Sequence, residues 1–402
     1  MAIIADFHIH SKFSIATSPL MIPKYISQYA EIKGVDIVGT GDFLHPKYLE
    51  ILENKLIESA DGIYTLKNGR GKTLFVLTTE ICNIFRHNGK TKKIHTLMFS
   101  PSLKDCKKMS KSLENLGKIG SDGRPIFSMH IKEIMKRIMD INNEVFFVPA
   151  HIWTPWYSLF GSFSGFDSPE ECFEDMSEYI FALETGLSSD PAMNRKVSKL
   201  DRYTLISNSD AHSPMAIGRE ANVFSSLKNF NSLKNSLKGK KGNDKLLYTI
   251  EFYPQEGKYF ADGHRKCNFS IVPKKKEKEK KRCPRCGKTL TQGVLNRIHK
   301  LSDRSHVEDY PDVVNSKHLV PLDDIISKVV GIGKKSKTVR EIYNKLVREL
   351  KSEFNILLDA KRNDIKEAAD ESIAEAIINV RKGKVKITPG YDGVFGKIDI
   401  LR

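Results

Sequence analysis

Short apolar segments in this chain repeatedly end on a histidine or a carboxylate, and that recurrence restricts the fold more than any other feature. Apolar segments alternate with amphipathic stretches over residues 1–245, which predicts an α/β arrangement. Strands are expected at 3–7, 36–40, 74–77, 94–99, 145–148, 181–183 and 204–207. A helix is expected at 22–32, with Pro23 suited to its first turn and Gly34 to its exit. Strands separated in this way by helices or long loops point to a barrel rather than an open sheet. His8 and His10 follow the first strand. Gly41-Asp42 follows the second, with His45 just beyond. Glu80 follows the third, His95 begins the fourth, His151 follows the fifth, Glu184 ends the sixth, and Asp210 and His212 follow the seventh. In a parallel barrel the carboxyl ends of the strands form the rim on which an active site is built. His8 and His10 are two residues apart, so on a strand both rings face one side, and Asp210 and His212 repeat that spacing. One histidine alone can be structural; their joint placement at successive strand ends points to a metal cluster. Nitrogen and carboxylate ligands together suit zinc, manganese or iron.

A second ligand packet lies downstream. His264-x₂-Cys267 and Cys283-x₂-Cys286 have the spacing of a tetrahedral zinc site, and Pro284 and Gly287 suit the tight turn of its hook. A closed four-ligand site leaves no position for a substrate, so one structural zinc is expected there. Cys82, Cys106 and Cys172 remain, an odd number that fits a reducing cytoplasm better than a disulfide framework. Lys274, Lys275, Lys276, Lys278, Lys280, Lys281 and Arg282 crowd between the two pairs; such a like-charge block reads as a solvated loop. The formal net charge of +16 favours a polyanionic partner, most often nucleic acid, although a generally basic proteome is the plainer explanation. The first ten residues lack the layout of a signal peptide, and no apolar run approaches the roughly 20 residues of a membrane span.

From about residue 320 the pattern is helical. Val339, Ile342, Leu346 and Leu350 recur at helical spacing, as do Ile365, Ala369, Ile373, Ala376, Ile377 and Val380. Gly331-Ile332-Gly333, followed by two lysines, resembles the turn of a helix-hairpin-helix that holds a DNA phosphate; a plain interhelical turn fits as well. A Gly-rich segment, 389–396, closes the chain and brings Tyr391 and Asp392 forward as base-reading candidates. Trp153 and Trp156, with Phe160 and Phe166 after them, follow His151 directly; aromatic faces there either stack on an extruded base or pack a lid. Arg86 and Arg219 are candidates for steadying a phosphate. The expected organisation is a metallo-phosphoesterase barrel over 1–245, a zinc-binding domain over 246–318 and a helical DNA-binding domain over 319–402.

His8-x-His10, Asp42, Glu80, His95, His151 and Asp210-Ala211-His212 together resemble the polymerase-and-histidinol-phosphatase (PHP) superfamily. That resemblance implies a distorted (β/α)7 barrel carrying two or three divalent metals (zinc, manganese or magnesium) that hydrolyse phosphoesters. Longer motifs narrow it. Gly39-Thr40-Gly41-Asp42-Phe43, residues 149–156, 207–214 and 217–222, Asp262-Gly263-His264-Arg265-Lys266-Cys267, 293–297 and 389–396 resemble the endonuclease Q family, in order and over nearly the whole chain. This resemblance implies a DNA-repair nuclease that nicks 5′ to uracil, hypoxanthine, xanthine and abasic sites in double- or single-stranded DNA. Two departures from the wider superfamily stand out. Phe43 occupies a position where many members carry His, and Ser14, Thr17 and Ser18 occupy a stretch where many carry Asp. Two metals are therefore expected, with a third position open. The expected ligands are His8, His10, Asp42, Glu80, His95, His151, Asp210 and His212, with Glu80, His151 and Asp210 carrying the chemistry and Glu80 bridging. The protein is expected to be a cytoplasmic monomer. A phosphatase acting on a small phosphate monoester, and a degenerate barrel that only binds DNA, are the two rival readings.

Overall fold

The computed structural model describes residues 2–69, 71–239, 242–274, 281–304 and 315–400. Residues 275–280 of the lysine block lie outside the described residues. The fold is mixed α/β. The strand Ile3–Asp6 pairs in parallel with Ile37–Gly39, which pairs in parallel with Leu74–His87. Leu74–His87 and Lys90–Ser100 then form a long antiparallel hairpin, and Lys90–Ser100 pairs antiparallel with Phe146–Pro149. A single parallel bridge, Phe147 to Ile180, leads to Ala182–Glu184, which pairs in parallel with Thr204–Ile206. A bridge between Ala211 and Ile9 returns the path to the first strand.

The expected strands are all present, but not as uniformly parallel units. The hairpin is the main difference, and its cause is local. Asn88 (φ 48°) and Gly89 (φ 75°) both take left-handed conformations. A two-residue Asn-Gly turn of this kind matches the twist of flanking antiparallel strands. The sheet also runs past the boundary expected after residue 245. Leu246–Glu251 pairs with Ala221–Phe224, and Asn315–His318 pairs with Leu246–Glu251.

Strand alternation places the site. Val76, Leu97, Phe99, Ala182 and Ile206 belong to one buried apolar cluster that draws on every strand of the path. Two or four residues along the same faces stand Glu80, His95, Glu184 and Asn208, all buried. Apolar filling thus gives way to polar and titratable groups, at the strand end for Glu184 and within the long hairpin for Glu80 and His95, which the sequence had placed after and at the start of their strands. Helices Pro23–Lys33, Leu103–Leu113 and Ile131–Ile141 bury their apolar sides in a second cluster, the one that extends into the C-terminal helices. Those helices, Leu322–Val330, Lys337–Leu350 and Glu371–Arg381, dock through a buried ion pair, Lys33 Nζ to Glu353 Oε2 at 2.6 Å. Tyr343 donates to the same carboxylate at 2.6 Å, and the Leu322 N–H donates at 3.1 Å. No helix among the described residues is long and apolar enough to cross a membrane.

Candidate metal centre and its surroundings

Glu80 is the hub of the site. Its Oε2 lies 3.4 Å from His10 Nε2 and 3.7 Å from His8 Nε2, while Asp210 Oδ1 lies 3.0 Å from His10 Nε2 and 3.6 Å from His8 Nε2. Its Oε1 faces the other way, 2.8 Å from His95 Nδ1 and 3.0 Å from His151 Nε2. Two groups of ligand-type atoms, His8-His10-Asp210 and Glu80-His95-His151, therefore meet at one carboxylate. Metal–nitrogen and metal–oxygen bonds of about 2.0–2.2 Å at tetrahedral angles put neighbouring ligand atoms roughly 3.4 Å apart, so these separations suit two ions. The polar atoms aimed inward support the fit. His8 Nε2, His10 Nε2 and Asp210 Oδ1 are buried and lack a hydrogen-bond partner, an arrangement that costs free energy unless a cation is shared among them.

The far sides of the rings are tied down. His8 Nδ1 contacts Glu184 at 3.0 and 3.1 Å; Glu184 also accepts the backbone N–H of His151 and the side-chain amide of Asn208, each at 2.8 Å. His10 Nδ1 lies 3.2 Å from Asp42, and His151 Nδ1 lies 3.2 Å from the Ser158 hydroxyl. Partners of this kind fix tautomer and ring orientation. Asp42, expected among the ligands, thus stands behind His10. Its carboxylate is taken up by that ring, the Ser11 N–H at 2.6 Å and the Ser14 hydroxyl at 2.8 Å. His212 packs its ring 4.5 Å from that of His10 and donates from Nδ1 to the Asp210 carbonyl at 2.8 Å, which leaves Nε2 as an acceptor. Asp42, His151 and Asp210 all have positive φ (50°, 31° and 48°), a concentration of backbone strain at the site. Gly186 permits it for His151: a Cβ there would stand 2.5 Å from the His151 Cβ.

Electrostatics follow from burial and crowding. Burial opposes charge on His8, but Glu184, Glu80 and Asp210 outweigh it and hold the ring well above the usual histidine range. His10 is raised in the same way against its burial, through Asp210, Asp42 and Glu80. Burial would raise the Glu80 carboxyl, yet His95, His8 and Arg124 hold it well below its ordinary value. Burial takes His95 down to about 4. The carboxylates call for positive charge here, which divalent cations supply in place of protons.

Comparisons with known proteins fit this geometry. YqxK of Bacillus subtilis is 30% identical over 98% of this chain and 99% of its own length. A crystal structure of the lesion-specific endonuclease PfuEndoQ from Pyrococcus furiosus superimposes with a TM-score of 0.87 at 31% identity, covering 100% of this chain and 96% of that one. The chain belongs to the endonuclease Q family. An endonuclease Q complex with a 27-mer duplex carrying an abasic lesion at its active site matches with a TM-score of 0.86 at 30% identity, over 100% of this chain and 97% of that one. The family model for the MJ0043 C-terminal domain matches residues 321–384.

The remaining expectations for this endonuclease Q family member divide sharply. His264, Cys267, Cys283 and Cys286 come together, with Cys286 Sγ 3.4 Å from His264 Nδ1. Gly287 (φ 71°) closes the hook by donating to the Cys283 carbonyl at 2.8 Å. Trp153, Phe160 and Phe166 are each 1% exposed and form core rather than a stacking platform. The Trp153 indole N–H is already used by Asn194 at 2.6 Å, and its ring packs 4.7 Å from Phe160. Trp156 and Phe163, by contrast, are 38% and 54% exposed and stack on each other at 4.7 Å and 8°. Tyr259 meets Trp156 edge-on, and Tyr157 packs 5.0 Å from the His95 ring. Arg86 donates to Gly89 O at the hairpin tip, six residues beyond Glu80 and hence roughly 20 Å along the strand from the centre. Arg219 spends its guanidinium on Ser209 O at 2.9 and 3.1 Å, steadying the loop that carries Asp210.

Asp392 accepts from the Arg265 N–H and the Thr291 hydroxyl, both at 2.6 Å, and Tyr391 donates to Asn268 at 2.7 Å. The Gly-rich segment is therefore latched onto the zinc-bearing module, with neither Asp392 oxygen left unpaired. Gly331 and Gly333 lie in an open turn between two helices, where a Cβ would meet nothing within 4 Å. Arg124 and Ser158 belong to the site without having been expected, and Glu184, noted at a strand end but not counted among the final ligands, stands behind His8. Of the three, Glu184 alone carried a sequence signal. A third group, His87, His130 and Glu174, also has ligand-type atoms close together. There His130 Nδ1 accepts the Lys132 N–H and Lys132 Nζ pairs with one Glu174 oxygen, while His130 Nε2 faces the other at 3.4 Å.

Proposed function

We propose that this endonuclease Q family member nicks DNA 5′ to deaminated bases and abasic sites, using two divalent ions and a lesion drawn out of the stack. The observation that carries this reading is the Glu80 carboxylate set between two half-sites. His8, His10, Asp210 and Glu80 Oε2 would hold one ion; His95, His151 and Glu80 Oε1 would hold the other. Such a pair supplies a water-derived nucleophile near neutral pH and neutralises charge on the reacting phosphate. The protein's own part is geometric. Glu184, Asp42 and Ser158 fix the three ring orientations, and buried strands exclude water from below. His212 stands at the rim; burial holds its ring below the usual range, so it is neutral at pH 7 with Nε2 free to accept a proton or complete an ion's coordination.

Lesion DNA as substrate is supported by the relative solved with an abasic duplex. The exposed Trp156–Phe163 stack beside the centre supplies a surface for an unstacked base. The open Gly331–Gly333 turn, with the N-terminus of Lys337–Leu350 behind it, suits phosphate contact away from the lesion. The zinc-type cluster builds the module that abuts Trp156 through Tyr259. The test is to incubate the purified protein with end-labelled duplex containing one deoxyuridine, with undamaged duplex and with p-nitrophenyl phosphate. A single nick 5′ to the lesion, with the other two substrates essentially untouched, is expected. Hydrolysis of p-nitrophenyl phosphate alone would put the small-phosphate phosphatase in its place, and no turnover with any metal would leave a DNA-binding scaffold.

A further inference from the structure

One cation reaches into the metal centre from outside the ligand set. Arg124 Nη1 donates to Glu80 Oε2 at 3.1 Å, the same oxygen that faces His8 and His10. Among the described residues this is the one ion pair between a lysine or arginine and a carboxylate of the centre. The loop that carries Arg124 is built against the site. Gly123 donates to the Phe13 carbonyl at 3.1 Å, and a Cβ on Gly123 would stand 2.1 Å from the Asp42 carboxylate and 2.3 Å from the Ser14 hydroxyl. Behind it, the Pro125 carbonyl accepts from Cys82, and Ile126–Phe127 pairs in parallel with Cys82–Asn83, two residues past Glu80. Arg124 is thus held at a set height above the bridging carboxylate. Its side chain is 29% exposed, and one of its five N–H groups is engaged. The other donors form an edge between Glu80 and solvent, where a phosphate would enter.

We propose that Arg124 is the phosphate clamp of this enzyme, donating from that edge to the non-bridging oxygens of the scissile phosphate. The assignment rests on the phosphodiester-hydrolase reading above and takes the role that sequence suggested for Arg86 and Arg219. A planar guanidinium fits two phosphate oxygens at once, and a lysine ammonium does not. The guanidinium is the cation that touches the central carboxylate directly and still has donors to spare for the substrate.

The test uses full-length Arg124→Gln and Arg124→Lys proteins loaded with metal, with inorganic phosphate as the probe, titrated by calorimetry without DNA. Metal content should match wild type in both. Phosphate affinity should fall about 10- to 100-fold in Arg124→Gln, as expected for loss of charge-assisted hydrogen bonds, with Arg124→Lys in between. Single-turnover nicking of a deoxyuridine duplex should fall in parallel. Unchanged phosphate affinity overturns the proposal. So does loss of an ion from Arg124→Gln, since Arg124 would then serve to position Glu80. If Arg124→Gln does not fold, Arg124→Lys decides: it must bind phosphate several-fold more weakly than wild type, and equal binding overturns the clamp. Wild-type protein that binds phosphate through Arg124 but ignores lesion DNA would sink the endonuclease reading and leave the clamp standing.

Discussion

Glu80 touches more of the centre than any other residue, and its value lies in having two oxygens that face different histidines. Removing Glu80 takes away the group that both ligand sets share, and removing Asp210 takes away the carboxylate of the His8–His10 set. Asp210→Ala should lower nicking by roughly 10³-fold or more, the several kcal/mol that metal assistance contributes to such a barrier. Binding of lesion duplex should survive; a quenched-flow assay beside an anisotropy titration measures both. Another residue-scale consequence concerns buried carboxyls beneath the site. Burial raises Glu251 to about 8, with Asp190 adding to it, and Glu220 is raised by burial and by Glu251. A carboxyl held above its ordinary value of 4.5 stabilises the fold fully below that pH, and the contribution is lost as pH rises through the folded value. Thermal stability should therefore decline between about pH 4.5 and 8, and Glu251→Gln should flatten the decline. An unaltered profile in the variant would contradict the assignment.

At this scale the sequence was most informative where chemistry coincides with strand ends, as at His8, His10, His151 and Asp210; Glu80, read as following a strand, lies within Leu74–His87. It was silent on Arg124, which reaches Glu80 from a loop 44 residues away, because no local spacing encodes such a contact.

Among the elements, the hairpin shows what periodicity alone misses. Alternating apolar segments at 74–77 and 94–99 suggested successive strands of a parallel barrel. The Asn88-Gly89 dipeptide between them dictates an antiparallel pair, and that pair carries both Glu80 and His95. The aromatic segment after His151 gives the complementary lesson. Its composition does not distinguish core from surface, since either role wants large flat side chains. Burial separates them: Trp153 is enclosed and Trp156 is open. The two tryptophans should then behave differently. Trp153→Ala should cost about 3–5 kcal/mol of stability in denaturant titrations, the usual loss for a large buried aromatic. Trp156→Ala should leave stability nearly unchanged and narrow the affinity gap between damaged and undamaged duplex by ~1–3 kcal/mol, with the salt dependence unaltered. A Trp156 variant that loses only general, salt-sensitive affinity would contradict the stacking role.

At the scale of the whole molecule, contacts cross the expected limits at 245 and 318. The main sheet crosses residue 246, and the C-terminal helices share a buried cluster with the helices around the strands. Sequence marked the later segments by composition and helical spacing. The contacts that join them, such as Lys33 with Glu353, span 320 residues and leave no local trace. The zinc-type site was legible throughout because its ligand spacing is itself the signal. Cys283→Ser should release about one zinc per chain by elemental analysis and lower the unfolding temperature, since a closed site contributes folding free energy directly. Equal zinc content in the two proteins would refute the ligand assignment.

The proposed bridging of two ions by Glu80, in a centre built from His8, His10, Asp210, His95 and His151, can be seen directly. Anomalous diffraction from crystals of the metal-loaded protein, recorded at the absorption edge of the bound metal, addresses it directly. Two peaks should flank the Glu80 carboxylate, about 3.5–4 Å apart. One should lie among His8, His10 and Asp210, the other between His95 and His151. A single peak, or a pair that leaves Glu80 uncoordinated, would contradict it.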